Sequence, residues 1–119
     1  MPNSRSASRV IIDEVSRWPG VEVAPMEPGS DGHIAFQFGR REIGHLHGDH
    51  ALHIGFPRKT GTELLAQGRA VPHPVFPDNP GIVARRIEDE ADVQDAIALL
   101  RINYDRVVAR YGLPSSAAA

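Results

Sequence analysis

The chain has no cysteine, only one tryptophan, no marked excess of either charge and no long hydrophobic run. Without cysteine there are no disulfides, thiolate zinc sites, iron–sulfur clusters or cysteine nucleophiles. Thirteen Lys and Arg against fifteen Asp and Glu give a net charge of -2, so nothing electrostatic recruits nucleic acid or an anionic membrane. Aromatics make up 6% of the residues, too few to build a base-stacking surface. No apolar stretch approaches the roughly 20 residues that span a bilayer. Residues 1–7 also lack the apolar segment of a signal peptide, so the expectation is a cytoplasmic protein with no membrane partner. What the 119 residues do hold is six histidines.

The length suits one domain. Residues 1–7 read as a disordered N-terminus, residues 8–112 as a single α+β domain, and residues 113–119 as a disordered tail after Leu113 and Pro114. Ser8 is the expected N-cap of a first helix whose Ile11, Val15 and Trp18 recur at helical spacing before Pro19-Gly20 ends it. Val21-Glu22-Val23 alternates like a strand, and Pro25, Pro28, Gly29 and Gly32 mark a loop. Residues 34–56 are β-like, punctuated by Gly39-Arg40 and Gly48-Asp49. A short helix is expected at 62–67, closed by Gly68, and the prolines at 72, 74, 77 and 80 impose an extended loop. A strand follows at 82–87. Val93, Ile97, Leu100, Tyr104, Val107 and Tyr111 then share one face of a long helix, with acids gathered at its start and arginines towards its end, as its dipole favours. The expected fold is a single-domain antiparallel β-meander packed against an N-terminal helix and a long C-terminal helix.

Residues paired across an antiparallel ladder share a face, so the turns assign the histidines. If Gly48-Asp49 is a two-residue hairpin turn, His47 faces His50, His45 faces Leu52 and Ile43 faces Ile54. With Gly39-Arg40 as the preceding turn, Phe36 faces Ile43 and Ile34 faces His45. Ile34, Phe36, Ile43, Leu52 and Ile54 then line one face, which should meet the helices. His45 joins that layer, with His47 and His50 beside it. Glu42, Leu46, His53 and Gln37 fall on the other face among Ala35, Gly44, Ala51 and Gly55. A slip of one residue would exchange the two sets.

On this register His45, His47 and His50 are candidate ligands of an all-imidazole metal site, with Asp49 near enough to add an oxygen. The bland alternative is a buried, hydrogen-bonded His45 with His47 and His50 solvated at a turn. Imidazoles titrate near neutrality, so His45 or His47 can also serve as a general acid or base without a metal. His73, held in Val71-Pro72-His73-Pro74, can close over the sheet from its rigid loop. His33 reads as a loop residue and His53 as a weak candidate. Gly39 followed by five residues and His45-x-His47 fits a cupin motif, but Ala51 and Leu52 stand where its glutamate belongs.

One ordered set of blocks resembles a known family. These are Gly39-Arg-Arg-Glu-Ile-Gly-His-Leu-His-Gly-Asp49, then Gly55-Phe56-Pro57-Arg58, then Glu63-Leu64-Leu65-Ala66-Gln67-Gly68-Arg69-Ala70. His73-Pro74, Pro77-Asp78, Ala98-Leu99-Leu100-Arg101 and Tyr104 follow in order. The pattern, over residues 18–111, resembles the luciferase-like domain family, which joins the luciferases of luminous fungi to many small bacterial proteins. Fungal members oxidise a hydroxylated pyrone with molecular oxygen, without a separate organic cofactor. The resemblance implies a small aromatic or pyrone-like ligand near Glu42, His45, His47 and His73, with oxygen as a co-substrate and no cofactor. Where the family pattern has a small residue, glycine and tryptophan, this chain has Asn79-Pro80-Gly81-Ile82, and if that tryptophan lines the family's pocket the substrate here differs.

Three functions follow as expectations. The first is an oxygenase or acid/base enzyme with His45, His47, Glu42 and His73 as catalytic residues. The second is a non-catalytic ligand-binding or homodimeric interaction module, using the small-residue face. The third is a metal site on His45, His47 and His50.

Overall fold

The structure, a computed structural model, describes residues 6–25 and 33–113. Of the ends expected to be disordered, 1–7 and 113–119, residues 1–5 and 114–119 lie outside the described residues, as does the loop with Pro28, Gly29 and Gly32, whereas Ser6 and Ala7 are the N-cap and first residue of α1. The chain runs α1 (Ala7–Val15), β1 (Val21–Pro25), β2 (His33–Phe38), β3 (Arg41–His47), β4 (Ala51–Gly55), α2 (Arg58–Ala66), β5 (Val71–Pro72), β6 (Ile82–Arg86) and α3 (Glu90–Tyr111). The strands form one antiparallel sheet in the order β1-β2-β3-β4-β6-β5. This is the expected α+β fold with helices at both ends of the chain. The meander covers β1 to β4. Beyond it β6 takes the place beside β4, leaving the two residues of β5 at the edge, where Pro72 needs no ladder donor.

α1 starts earlier than expected. Ser6, not Ser8, is its N-cap, with its side-chain oxygen accepting the Arg9 N–H at 3.2 Å. The Ser8 N–H donates instead to Asp49 Oδ1 at 2.8 Å, tying α1 to the β3–β4 turn. α2 begins at Arg58, ahead of the expected residue 62, and seats Leu64 in the core. α3 is capped by Asp89, whose side chain accepts the Asp92 N–H, while Asp92 accepts from the Glu88 N–H, both at 2.8 Å. Asp92 and Asp95 are further paired with Arg85, so the acidic start of α3 is a satisfied helix terminus.

α3 packs on α1 and on the sheet. Ile11, Val15, Phe36, Ile43, Leu46, Leu52, Leu99 and Leu100 are fully enclosed between them. Tyr104 packs against Trp18 and Phe38 and donates its hydroxyl to the Pro19 carbonyl at 2.6 Å. Tyr111, expected on the buried face, is half exposed and lies beneath the Arg41 guanidinium. No helix among the described residues is long and apolar enough to cross a membrane.

Candidate functional site

Two one-residue irregularities decide which way the histidines point. The β3–β4 connection has three residues, not two: His47 pairs with Ala51, Leu46 with Leu52 and His45 with His53. Gly48 opens this turn at φ 58°, a conformation other residues adopt only with strain, and the His50 N–H donates to the His47 carbonyl. In the β2–β3 hairpin the Gly39-Arg40 turn pairs Phe38 with Arg41 and Gln37 with Glu42, in the expected register. The next pair is Phe36 with Gly44, so Ile43 is the extra residue of a β-bulge and every later pair is shifted by one.

The bulge has its own support. Ile43 and Gly44 both turn inwards: Ile43 is fully buried, and a Cβ on Gly44 would come within 2.6 Å of Leu100 Cδ2. The Asn103 side-chain amide of α3, 1% exposed, donates to the Ile43 carbonyl at 2.9 Å, and its Oδ1 accepts from Arg106 Nε at 3.0 Å. In a regular strand, residues three apart face opposite ways. Here the bulge puts Glu42 and His45 on the same side, with Glu42 Oε2 2.7 Å from His45 Nδ1.

The expected assignment of faces is therefore corrected. Leu46, expected on the open side, takes the core position opposite Leu52. His45, expected in the helix-facing layer, lies on the opposite side with His47, His53 and His33. Gly44 moves the other way, leaving Ala35, Ala51 and Gly55 of the small-residue set on the histidine side. The rings of His47 and His53 are 4.2 Å apart, those of His45 and His47 4.9 Å, and those of His45 and His53 5.1 Å. His33 packs on His47 at 4.4 Å. His73 reaches in from the proline-rich loop to 4.3 Å from His53, with Phe76 beside it at 5.3 Å. His45, His47, Glu42 and His73 are thus brought together, joined by His53 and His33.

His50 and Asp49 are not part of this group. His50 alternates to the helix side, and both residues line a cavity of about 560 Å³ with Ala7, Val10, Val93 and Gln94. The Asp49 carboxylate is held below its usual pKa, chiefly by the Ser8 backbone N–H.

Hydrogen bonds fix the tautomers. The Glu42 carboxylate accepts from His45 Nδ1, which leaves the lone pair of a neutral ring on Nε2. His73 Nδ1 accepts from the Val75 and Phe76 N–H groups at 3.0 and 3.3 Å, so its proton is on Nε2. Burial lowers the pKa of His47, and the neighbouring His45, His33 and His73 lower it further. Burial followed by His47 pushes His53 down to about 4, and burial with His45 lowers His73. At neutral pH these three rings are uncharged, and His47 and His53 have lone pairs to offer. His47 Nε2 and His53 Nδ1 are buried and make no hydrogen bond.

The protein is thus a small α+β domain whose antiparallel sheet packs helices on one face and gathers a cluster of imidazoles on the other. The model of the Luciferase domain family matches residues 40–103, from the β2–β3 turn to the bulge-capping Asn103, and the chain belongs to that family. The matched segment holds Glu42, His45, His47, His53 and His73, while His33 precedes it. No curated protein and no solved structure matches the chain.

Sequence reasoning passed over His53, His33 and Asn103. Asn103 had a visible signal, being a polar residue one turn from Leu99 and Leu100 and one turn from Val107 on the packed side of α3.

Proposed function

We propose that the histidine-bearing face is the reaction site of a small-molecule enzyme. It acts on a small aromatic or pyrone-like molecule, with molecular oxygen as co-substrate and imidazole lone pairs as proton acceptors. The observation that carries this reading is a pair of imidazoles with complementary fixed tautomers. His45, oriented by Glu42 at 2.7 Å, offers an acceptor nitrogen, and His73, pinned by two backbone N–H groups, offers a donor. A ring hydroxyl lying between them gives its proton to the acceptor, and its oxygen keeps the His73 N–H as a partner when charged. Removing that proton makes the ring electron-rich, the state in which such rings react with oxygen. His47 lies beside the acceptor, and Phe76, 54% exposed, supplies an apolar wall for a flat ligand.

The test is oxygen uptake with mass spectrometry of products over a panel of hydroxylated pyrones and phenols. Wild-type protein should turn over at least one compound, and His45→Ala and Glu42→Gln should lose about 100-fold or more in rate while staying folded. No turnover of any compound overturns the reading. A second reading, a non-catalytic binding or homodimeric module, is favoured by Val71, Val75 and Phe76 standing exposed at the rim of the site. It expects saturable binding of the same compounds with no product.

A further inference from the structure

The geometry points to a site for one divalent transition-metal ion on His45, His47 and His53, with Glu42 as the carboxylate behind His45. The inference rests on the histidine face being the functional site, but not on the reaction assigned to it.

One ring nitrogen from each of the three histidines lies within 4.8 Å of the other two. Ligand nitrogens of a tetrahedral zinc are about 3.4 Å apart, as bonds of about 2.0–2.1 Å require, so closing on an ion takes rotations that move each nitrogen by about 1 Å. The second observation is independent of that spacing. His53 is 7% exposed, and its Nδ1 and the buried Nε2 of His47 have no hydrogen-bond partner. Polar nitrogens enclosed without a partner are costly, and proteins seldom keep two side by side unless something satisfies them. A cation bound to both does so.

The third ligand arrives already prepared. Carboxylate to Nδ1–H, with Nε2 left free, is the arrangement that orients metal-bound histidines. Three imidazoles with no thiolate suit zinc, iron, nickel or copper and leave a coordination position open. His73 is not a fourth ligand. Its Nδ1 is occupied by two backbone donors, and its Nε2 carries the proton, so it remains a donor beside His53. His50, on the helix side, has no part in the site. With an ion bound, the His45 Nε2 lone pair is no longer a proton acceptor, and the ion itself would make a bound ring hydroxyl more acidic in its place.

The experiment uses untagged full-length protein stripped with chelator, titrated with Co(II) and Zn(II) by calorimetry and by Co(II) visible absorption. The expected result is one ion per chain, with the intense bands of a low-coordinate Co(II) centre and a rise in Tm of about 10 °C at hundredfold excess over Kd. His47→Ala and His53→Gln should each weaken binding more than 100-fold, Glu42→Gln about 10–100-fold, and His50→Ala not at all. Circular dichroism separates lost binding from lost folding, and the wild-type spectrum reports coordination without any variant. Failure to bind either ion, or binding that His50→Ala removes and His53→Gln does not, overturns the site. Turnover without metal binding would leave the acid–base reading standing. One-to-one binding without turnover would leave the metal site standing.

Discussion

The same four residues of β3 serve two different surfaces. Gly44 and Leu46 enter the layer beneath α3, while His45 and His47 enter the histidine face, and in β4 Leu52 and Ile54 part company with His53 in the same way. Among the described residues, the buried polar side chains on the helix side are hydrogen-bonded, down to Asn103 on the Ile43 carbonyl. On the other side the strands carry crowded imidazoles, two of them with unsatisfied nitrogens. Stability is drawn from one face, and the imidazoles are kept on the other at some cost to stability.

That contrast breaks most visibly under truncation. Leu52→Ala should cost about 2–5 kcal/mol in urea unfolding, because a fully buried leucine leaves a cavity. Its neighbour His53→Leu should be near neutral or stabilising in the metal-free protein, because an unsatisfied buried polar group is replaced by an apolar one. If His53→Leu proved as damaging as Leu52→Ala, the two faces would be one core.

Acid should separate the faces next. His53 has a folded pKa of about 4, below its unfolded value of about 6.5, so the unfolded chain binds the extra proton. Metal-free protein should hold its full stability above pH 6.5 and lose up to about 3 kcal/mol as the pH falls to 4. Urea midpoints across that range should be flatter for His53→Leu. A wild-type midpoint that does not move would contradict the buried, neutral ring.

The smallest effect concerns the link between the faces. Asn103→Ala strips a buried carbonyl of its donor and should cost about 1–3 kcal/mol. It should also release the bulge that places Glu42 against His45, so substrate turnover and metal affinity should fall together while the helix content is kept. Loss of stability with both functions unchanged would make Asn103 a core residue only.

The helices, strands and single domain were legible because periodicity and turn residues report them directly. The apolar set of Ile34, Phe36, Ile43, Leu52 and Ile54 was also assigned to its true face. The histidine side was not, because strand alternation has a period of two and each irregularity reverses it. A three-residue turn at Gly48 and a bulge at Ile43 moved His45 outwards and brought His53 into the site. Signals for both were present. Leu46 on the polar side was an anomaly that pairing it with Leu52 removes, and Gly44 within a strand marks a bulge or a close approach. The Glu42–His45 contact, by contrast, depends on the three-dimensional offset of the bulge and leaves no periodic trace.

X-ray absorption on chelator-stripped protein reloaded with one equivalent of Zn(II) reads the ion's ligands themselves. The expected shell is about three imidazole nitrogens at about 2.0–2.1 Å, unchanged in His50→Ala and lost in His53→Gln. A shell of oxygens alone, or the same spectrum from His53→Gln, would contradict it.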